Sequence, residues 1–167
     1  MESRDKAQMS TEERLAAMGV VLPEPLKVAE GVKLPYSPVH VRGKRAFISG
    51  HGPQNPDGSI AEPLGKVGDL VDVEQGYRAA RLTALSLLGS LKRELGDLDR
   101  VAAWLKVFGM VNSAPGFDRQ PQVINGFSDF ILELYGPVRG AHARSAVGMA
   151  ELPFGIPVEI EAEVELT

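Results

Sequence analysis

The stretch "HARSAVGMAELPFGIPVEIEAEVELT", His142 to Thr167, decides how the chain is read. From Val158 onward two kinds of residue alternate. Val158, Ile160, Ala162, Val164 and Leu166 occupy one set of positions, and Glu159, Glu161, Glu163 and Glu165 the other. Successive side chains of a strand point to opposite faces, so this is a strand with one apolar face and one row of carboxylates. Ahead of it, Arg144 to Ala150 reads as a second strand, on which Arg144 shares its face with the small residues Ala146, Gly148 and Ala150. A guanidinium so flanked faces a hollow or a closely approached surface. Two readings stay open: the arginine offers its planar fork to the carboxylate or phosphate of a ligand, or it forms a salt bridge to the glutamate strand. If the two strands pair as a hairpin centred near residues 153 and 154, Arg144 falls opposite about residue 163. Spacing does not choose among Glu159, Glu161 and Glu163. Crowding raises the pKa of any carboxylate in the row that is also partly desolvated, which suits a general base, while at least two of the four are expected to be solvated surface charges.

Upstream, "RVAAWLKVFGMV" (Arg100 to Val111) is nearly continuous apolar and predicts a central strand covered on both faces. Two helices flank it in sequence. The first starts from Asp72, with Asp72 and Gln75 placed as N-cap and N3; Tyr77, Ala80, Ala84, Leu87, Leu88, Leu91 and Leu95 fall at helical spacing, and Gly96 lies just past the end. The second runs from about Pro121 to Tyr135 on an apolar stripe of Val123, Ile124, Phe127, Ile131 and Leu134, ended by Gly136-Pro137. "VHVRGKRAFISG" gives two short strands about a turn at Gly43, "PQNPDGS" is turn chemistry, and the segment from there to Gly68 is irregular. Near the N-terminus, "STEERLAAMG" carries the capping-box pair Ser10 and Glu13 and a stop at Gly19. The residues before it read as a loose tail, and the proline-rich "VLPEPLKVAEGVKLPYSP" after it as an extended arm. The expected fold class is α+β: one mixed sheet with two helices on one face and a short N-terminal helix. Residues 1–33 form the tail, helix and arm, and residues 34–167 a single domain.

At 167 residues the chain can bury a core without staples, and it has no cysteine, which excludes disulfides and thiolate chemistry. No apolar run reaches the ~20 residues of a membrane span, and the charged start does not suit a secretory signal; a cytoplasmic protein is expected. Eighteen basic against 22 acidic residues give a net charge of −4, and the basic ones are scattered. A nucleic-acid partner is therefore not expected. His40, His51 and His142 lie far apart without metal-ligand spacing, so no metal is expected, nor any cofactor. His51, in "SGHGP", sits where a glycine-rich strand end can meet a ligand.

"ARSAVGMAELP" followed by "VEIEAEVEL" resembles the closing signature of the Rid (reactive intermediate deaminase) family, also called L-PSP endoribonuclease-like proteins. "LPY", "FISGHGP", "NPDGSI" and "VINGFSDFI" are similar to that family's other blocks, so the resemblance covers about Leu34 to Leu166. It implies a chorismate-mutase-like fold, a homotrimer with ligand clefts between subunits, and hydrolytic deamination of imines or enamines that carry a carboxylate. Carried over by position, it implies Arg144 and Glu159 as catalytic residues, gripping the carboxylate and orienting the attacking water. It also implies Tyr36, Ser49 and Asn125 near the cleft, with His51 and Ala146 beside them as substrate-binding positions. Ala146 stands where the family often has cysteine, Gly148 where it has an acidic residue and Glu151 where a basic one is usual, which marks a longer, divergent branch. These departures favour an alternative function, a non-catalytic small-acid-binding or regulatory trimer using the same clefts. A ribonuclease is the weaker reading, since neither a basic stripe nor a histidine pair is present. Whether the N-terminal helix lies across a cleft or packs outside a trimer stays open.

Overall fold

A computed structural model describes residues 9–167; the tail expected at the N-terminus falls on residues 1–8, outside the described part. In chain order the elements are α1 (Thr11–Ala17), β1 (Val39–Arg42), β2 (Arg45–His51), α2 (Val73–Leu95), β3 (Val101–Asn112), α3 (Gln120–Arg139), β4 (Ala143–Met149) and β5 (Val158–Leu166). The strands form one mixed sheet in the order β1-β2-β5-β3-β4, antiparallel except for the parallel β3–β4 pair. The α+β expectation holds, and the glutamate strand β5 takes the central position.

The hairpin considered for the last two strands does not form. A strand, a helix and a strand in succession (β3, α3, β4) set β4 parallel beside β3. β5 then pairs on the other side of β3, with Val107 of β3 opposite both Arg144 on β4 and Ala162 on β5.

Helix ends follow from sequence chemistry. Asp72 accepts a hydrogen bond from the Gln75 amide at 2.7 Å, the Gln75 side chain accepts one from the Asp72 amide at 2.9 Å, and Gly96 ends α2 in the left-handed region at φ 78°. Helix α3 breaks at Gly136 (φ 78°, ψ 173°), as expected of Gly136-Pro137, but one more turn to Arg139 follows the break. In α1 both halves of the Ser10–Glu13 capping box are made.

Helices α2 and α3 cover one face of the sheet. Leu87, Leu88, Leu91, Phe127, Phe130, Leu134, Ile160 and Trp104 are buried there, and Trp104 meets Phe127 edge-on at 5.6 Å between ring centres. The helices touch closely at Gly126, where a Cβ would lie 2.0 Å from the Tyr77 carbonyl oxygen. Backbone cannot yield as a side chain can. Gly126→Ala is therefore expected to destabilise the fold by about 1–3 kcal/mol or more, read as a lower urea midpoint at unchanged slope.

Strand β3 is interior to the sheet, yet among the described residues its second face has no cover. Phe108 and Met110 are half-buried there beside Phe47, 42% exposed. The continuous apolar run was expected to be covered on both sides; within this chain only one side is. The same open face carries the four glutamates, with Lys106 paired in register to Glu163 and Arg45 in an ion pair with it at 2.9 Å. The arm from Val20 to Pro38 forms no regular element and is held to the 53–59 turn by amide bonds from Glu24 to the Pro56 carbonyl and from Lys27 to the Gly58 carbonyl. Among the described residues no helix is long and apolar enough to cross a membrane.

Candidate functional site

Arg144 points to helix α3. One Nη1 N–H donates to Ser128 Oγ at 3.0 Å, and Nη2 donates to Asn125 Oδ1 at 2.7 Å and to the Pro121 carbonyl at 3.1 Å. None of these partners is a carboxylate, so the salt bridge to the glutamate strand is not made. Nor does Arg144 offset the row, a task that falls to Arg45 and Lys106. A guanidinium has five N–H groups, so Nε–H and one Nη1–H are left without a partner among the described residues. Ala146 and Gly148 share the face of Arg144, and the surface there is closely approached: a Cβ on Gly148 would lie 2.9 Å from Ser113 Oγ and 3.0 Å from Gln120 Nε2.

A relay fixes this arginine. His142 Nδ1 donates to the Gly140 carbonyl at 2.7 Å, which leaves Nε2 to accept from Ser128 Oγ–H at 2.9 Å, and Ser128 Oγ in turn accepts from Arg144. Burial above all, and the Arg144 charge further, hold the His142 pKa below its ordinary value despite the opposing bond to Gly140, so the ring is neutral, as the relay requires. His142 and Ser128 were not singled out from sequence. The available signal was their strand and helix spacing, His142 two places before Arg144 and Ser128 three after Asn125.

Glu159 belongs to a different half. Arg144, Val107 and Ala162 are neighbours across three strands and share the helix-covered face, whereas Glu159, three places from Ala162, lies on the opposite one. By strand spacing and rise, the two Cα atoms are roughly 14 Å apart. The two side chains leave the sheet on opposite sides.

The Glu159 carboxylate turns toward the end of β2, where the β2–β5 register shifts between Ile48 and His51. It needs a glycine there, because a Cβ on Gly50 would lie 2.0 Å from Glu159 Oε1. Burial, and secondarily the Glu161 carboxylate, push the Glu159 pKa above the ordinary carboxylate value. Since a carboxylate can rotate out of the way, Gly50→Ala is expected to displace the Glu159 carboxylate in a crystal structure of the variant while leaving the melting temperature nearly unchanged. A large fall in melting temperature would make Gly50 a packing residue instead.

Glu159, Tyr36 and His51 line one hollow of about 410 Å³ at this end of the sheet. Tyr36 is 52% exposed at its rim. His51 is a wall rather than a free ring: Nδ1 donates to the Ser49 carbonyl at 2.6 Å and Nε2 accepts from Ser90 Oγ at 2.8 Å, while Ser90 Oγ accepts from Arg93. Burial first, then the Arg93 charge, lower its pKa against the Ser49 bond. Ser49 donates its hydroxyl to the Ser37 carbonyl at 2.8 Å and lines a second hollow of about 310 Å³ on the open face with Lys106, Glu161 and Glu163. The structure thus sorts the expected residues into two groups, Asn125, Arg144 and Ala146 in one and Tyr36, His51 and Glu159 in the other, with Ser49 beside the second.

Residues 12–156 match the family model described as "YjgF/chorismate_mutase-like, putative endoribonuclease". Protein TCP17 of Trypanosoma cruzi is 42% identical over 144 residues, covering 81% of this chain and 89% of that protein. Among solved structures, the protein Atu1372 "with unknown function" from Agrobacterium tumefaciens is 41% identical, with a TM-score of 0.80 over 94% of this chain and 92% of the other. A "putative endoribonuclease" from Shewanella oneidensis MR-1 is 29% identical, with a TM-score of 0.84 over 95% of this chain and all of the other. Fold, sequence blocks and relatives agree: the chain belongs to the YjgF/chorismate-mutase-like family, in which the Rid and L-PSP endoribonuclease-like proteins are grouped.

Proposed function

We propose that the protein hydrolyses imines that carry a carboxylate, and enamines after tautomerisation, to oxo acids and ammonia, in clefts between the subunits of a homotrimer. One observation carries the reading: Arg144, with two N–H groups that have no partner among the described residues, and the desolvated Glu159 stand on opposite faces of the sheet. Two such halves make one site when Arg144 of one protomer meets Glu159 of the partner subunit. The uncovered sheet face, with Phe47, Phe108 and Met110 on it, is the kind of surface that a second copy covers.

In such a cleft Arg144, held by Asn125 and Ser128, binds the carboxylate through its charge and one of its remaining N–H groups. The C=N carbon is then fixed beside Glu159, which makes the attack of water effectively intramolecular. Glu159 accepts a proton from water as the C–O bond forms and the C=N π electrons move to nitrogen. Protonation of that nitrogen releases ammonia as the C–N bond breaks, and the hydroxyl proton lost from the carbinolamine leaves the C=O of the oxo acid. A desolvated carboxylate with a raised pKa is a better base for this than a solvated one.

The test is ammonia release from imines made in situ by an amino-acid oxidase or a dehydratase. Faster release with the protein supports the reading, and no acceleration across several amino-acid precursors rejects it. Ala146, apolar beside Arg144, favours the second reading, a small-acid-binding trimer without catalysis. Thermal shifts by 2-oxo acids that depend on Arg144 but come without turnover would select that one. Neither nucleic acid nor a membrane is proposed as a partner; the acidic row on the open sheet face opposes binding of a polyphosphate backbone.

A further inference from the structure

Resting on that reading, we infer that the hollow beside Glu159 receives the substrate's side chain and selects large apolar ones, such as those of leucine-like or phenylalanine-like imines. Its volume of about 410 Å³ is in the range of small-molecule sites, roughly 300–1,000 Å³, and far exceeds what a methyl group fills. The walls are apolar: Leu26, Leu34, Val39, Ile60, Phe154 and Ile156.

Two of these walls come from the N-terminal arm, which is fastened in place. Arg93 Nη1 donates to the Pro23 carbonyl at 2.9 Å, the Glu24 and Lys27 amides bond the 53–59 turn, and Gly58 leaves room for the Pro25 carbonyl, 2.2 Å from where a Cβ would stand. Several of the polar groups lining it have partners, while three N–H groups of the exposed Arg93 and the Tyr36 hydroxyl at the rim have none among the described residues. Both ring nitrogens of His51 are bonded, and Arg93 is shared between Pro23 and Ser90. Glu94, the carboxylate besides Glu159, is exposed at the rim. A substrate whose carboxylate is held by the neighbouring subunit and whose C=N carbon lies at Glu159 has its side chain directed here, where burying carbon against the apolar walls is favourable.

The arm therefore has a role: it builds the wall that distinguishes a long side chain from a short one. Each buried methylene is worth about fourfold in affinity. Calorimetric binding of the product acids to the full-length protein tests this without requiring turnover. 4-Methyl-2-oxopentanoate and phenylpyruvate are expected to bind at least about tenfold more tightly than pyruvate. Leu26→Trp and Ile60→Trp, made separately to fill the hollow, should each weaken binding of the two larger acids at least about tenfold and so abolish that preference. Equal affinities for all three acids, or a preference that survives both substitutions, overturns the inference. Turnover of imines accompanied by equal affinities removes the side-chain pocket alone. A size preference in binding without any imine turnover removes the hydrolytic reading and keeps the pocket.

Discussion

Arg144→Ala is expected to lower kcat/KM for a carboxylate-bearing imine by about 10²–10³-fold, almost entirely through KM. A hydrogen bond to a charged group contributes about 1.5–3 kcal/mol, and two N–H groups of Arg144 have no partner among the described residues. Arg144→Lys should recover only part of the loss, since an ammonium keeps the charge but not the planar fork. The site of substitution is half-buried, and water can replace the guanidinium against Asn125, Ser128 and the Pro121 carbonyl, so the melting temperature should change little. Steady-state kinetics with thermal melts separates the two effects. A large stability loss with unchanged KM would make Arg144 a strut between β4 and α3 and nothing more.

Glu159→Gln should act on the other kinetic constant, lowering kcat by about 10²–10⁴-fold with KM near that of the unaltered protein, because the amide cannot take a proton from water. The pH dependence follows from the direction of the shift. Burial and Glu161 raise the Glu159 pKa, so the base is lost, as pH falls, earlier than for an ordinary carboxylate, and the acid limb of kcat/KM should lie correspondingly high. That limb should vanish from the residual rate of the variant. Stability carries the opposite sign. A carboxylate whose folded pKa is raised favours folding when protonated, and this contribution is lost as pH rises through the folded pKa. Glu159→Gln is therefore expected to be more stable than the parent at neutral pH, with the difference shrinking in acid. A variant destabilised at neutral pH would contradict the assignment of Glu159 as a strained, desolvated base.

Much of this was legible in the residue pattern, and the exceptions have physical causes. The alternation of β5 and the capped, 3.6-periodic α2 each state their own conformation, because a period and a cap are local properties. Partner choice between strands is not local. The run from Arg144 to Leu166 looks like a hairpin until the preceding helix places β4 parallel to β3 and leaves β5 to pair elsewhere. For the same reason the alternation revealed that Glu159 and Val158 face opposite ways, but not that Arg144 faces with Val158 rather than with Glu159. The relay from Gly140 through His142 and Ser128 to Arg144 joins residues from a loop, a helix and a strand; spacing places His142 near Arg144 and Ser128 near Asn125, but does not bring the two pairs together. Gly50 is similar: its need becomes visible only when Glu159 Oε1 is found where its Cβ would be.

The proposed site borrows from two chains of a homotrimer, and subunit mixing tests this most directly. Arg144→Ala and Glu159→Gln proteins, each nearly inactive alone, are unfolded together, refolded at equal concentration and assayed. In random mixed trimers, a cleft is complete when the protomer supplying the arginine carries Glu159→Gln and the neighbour supplying the glutamate carries Arg144→Ala, so about a quarter of the clefts should regain full activity. Recovery to about a quarter of the parent rate is the expected result. A mixture no more active than its two components would contradict a site shared between subunits.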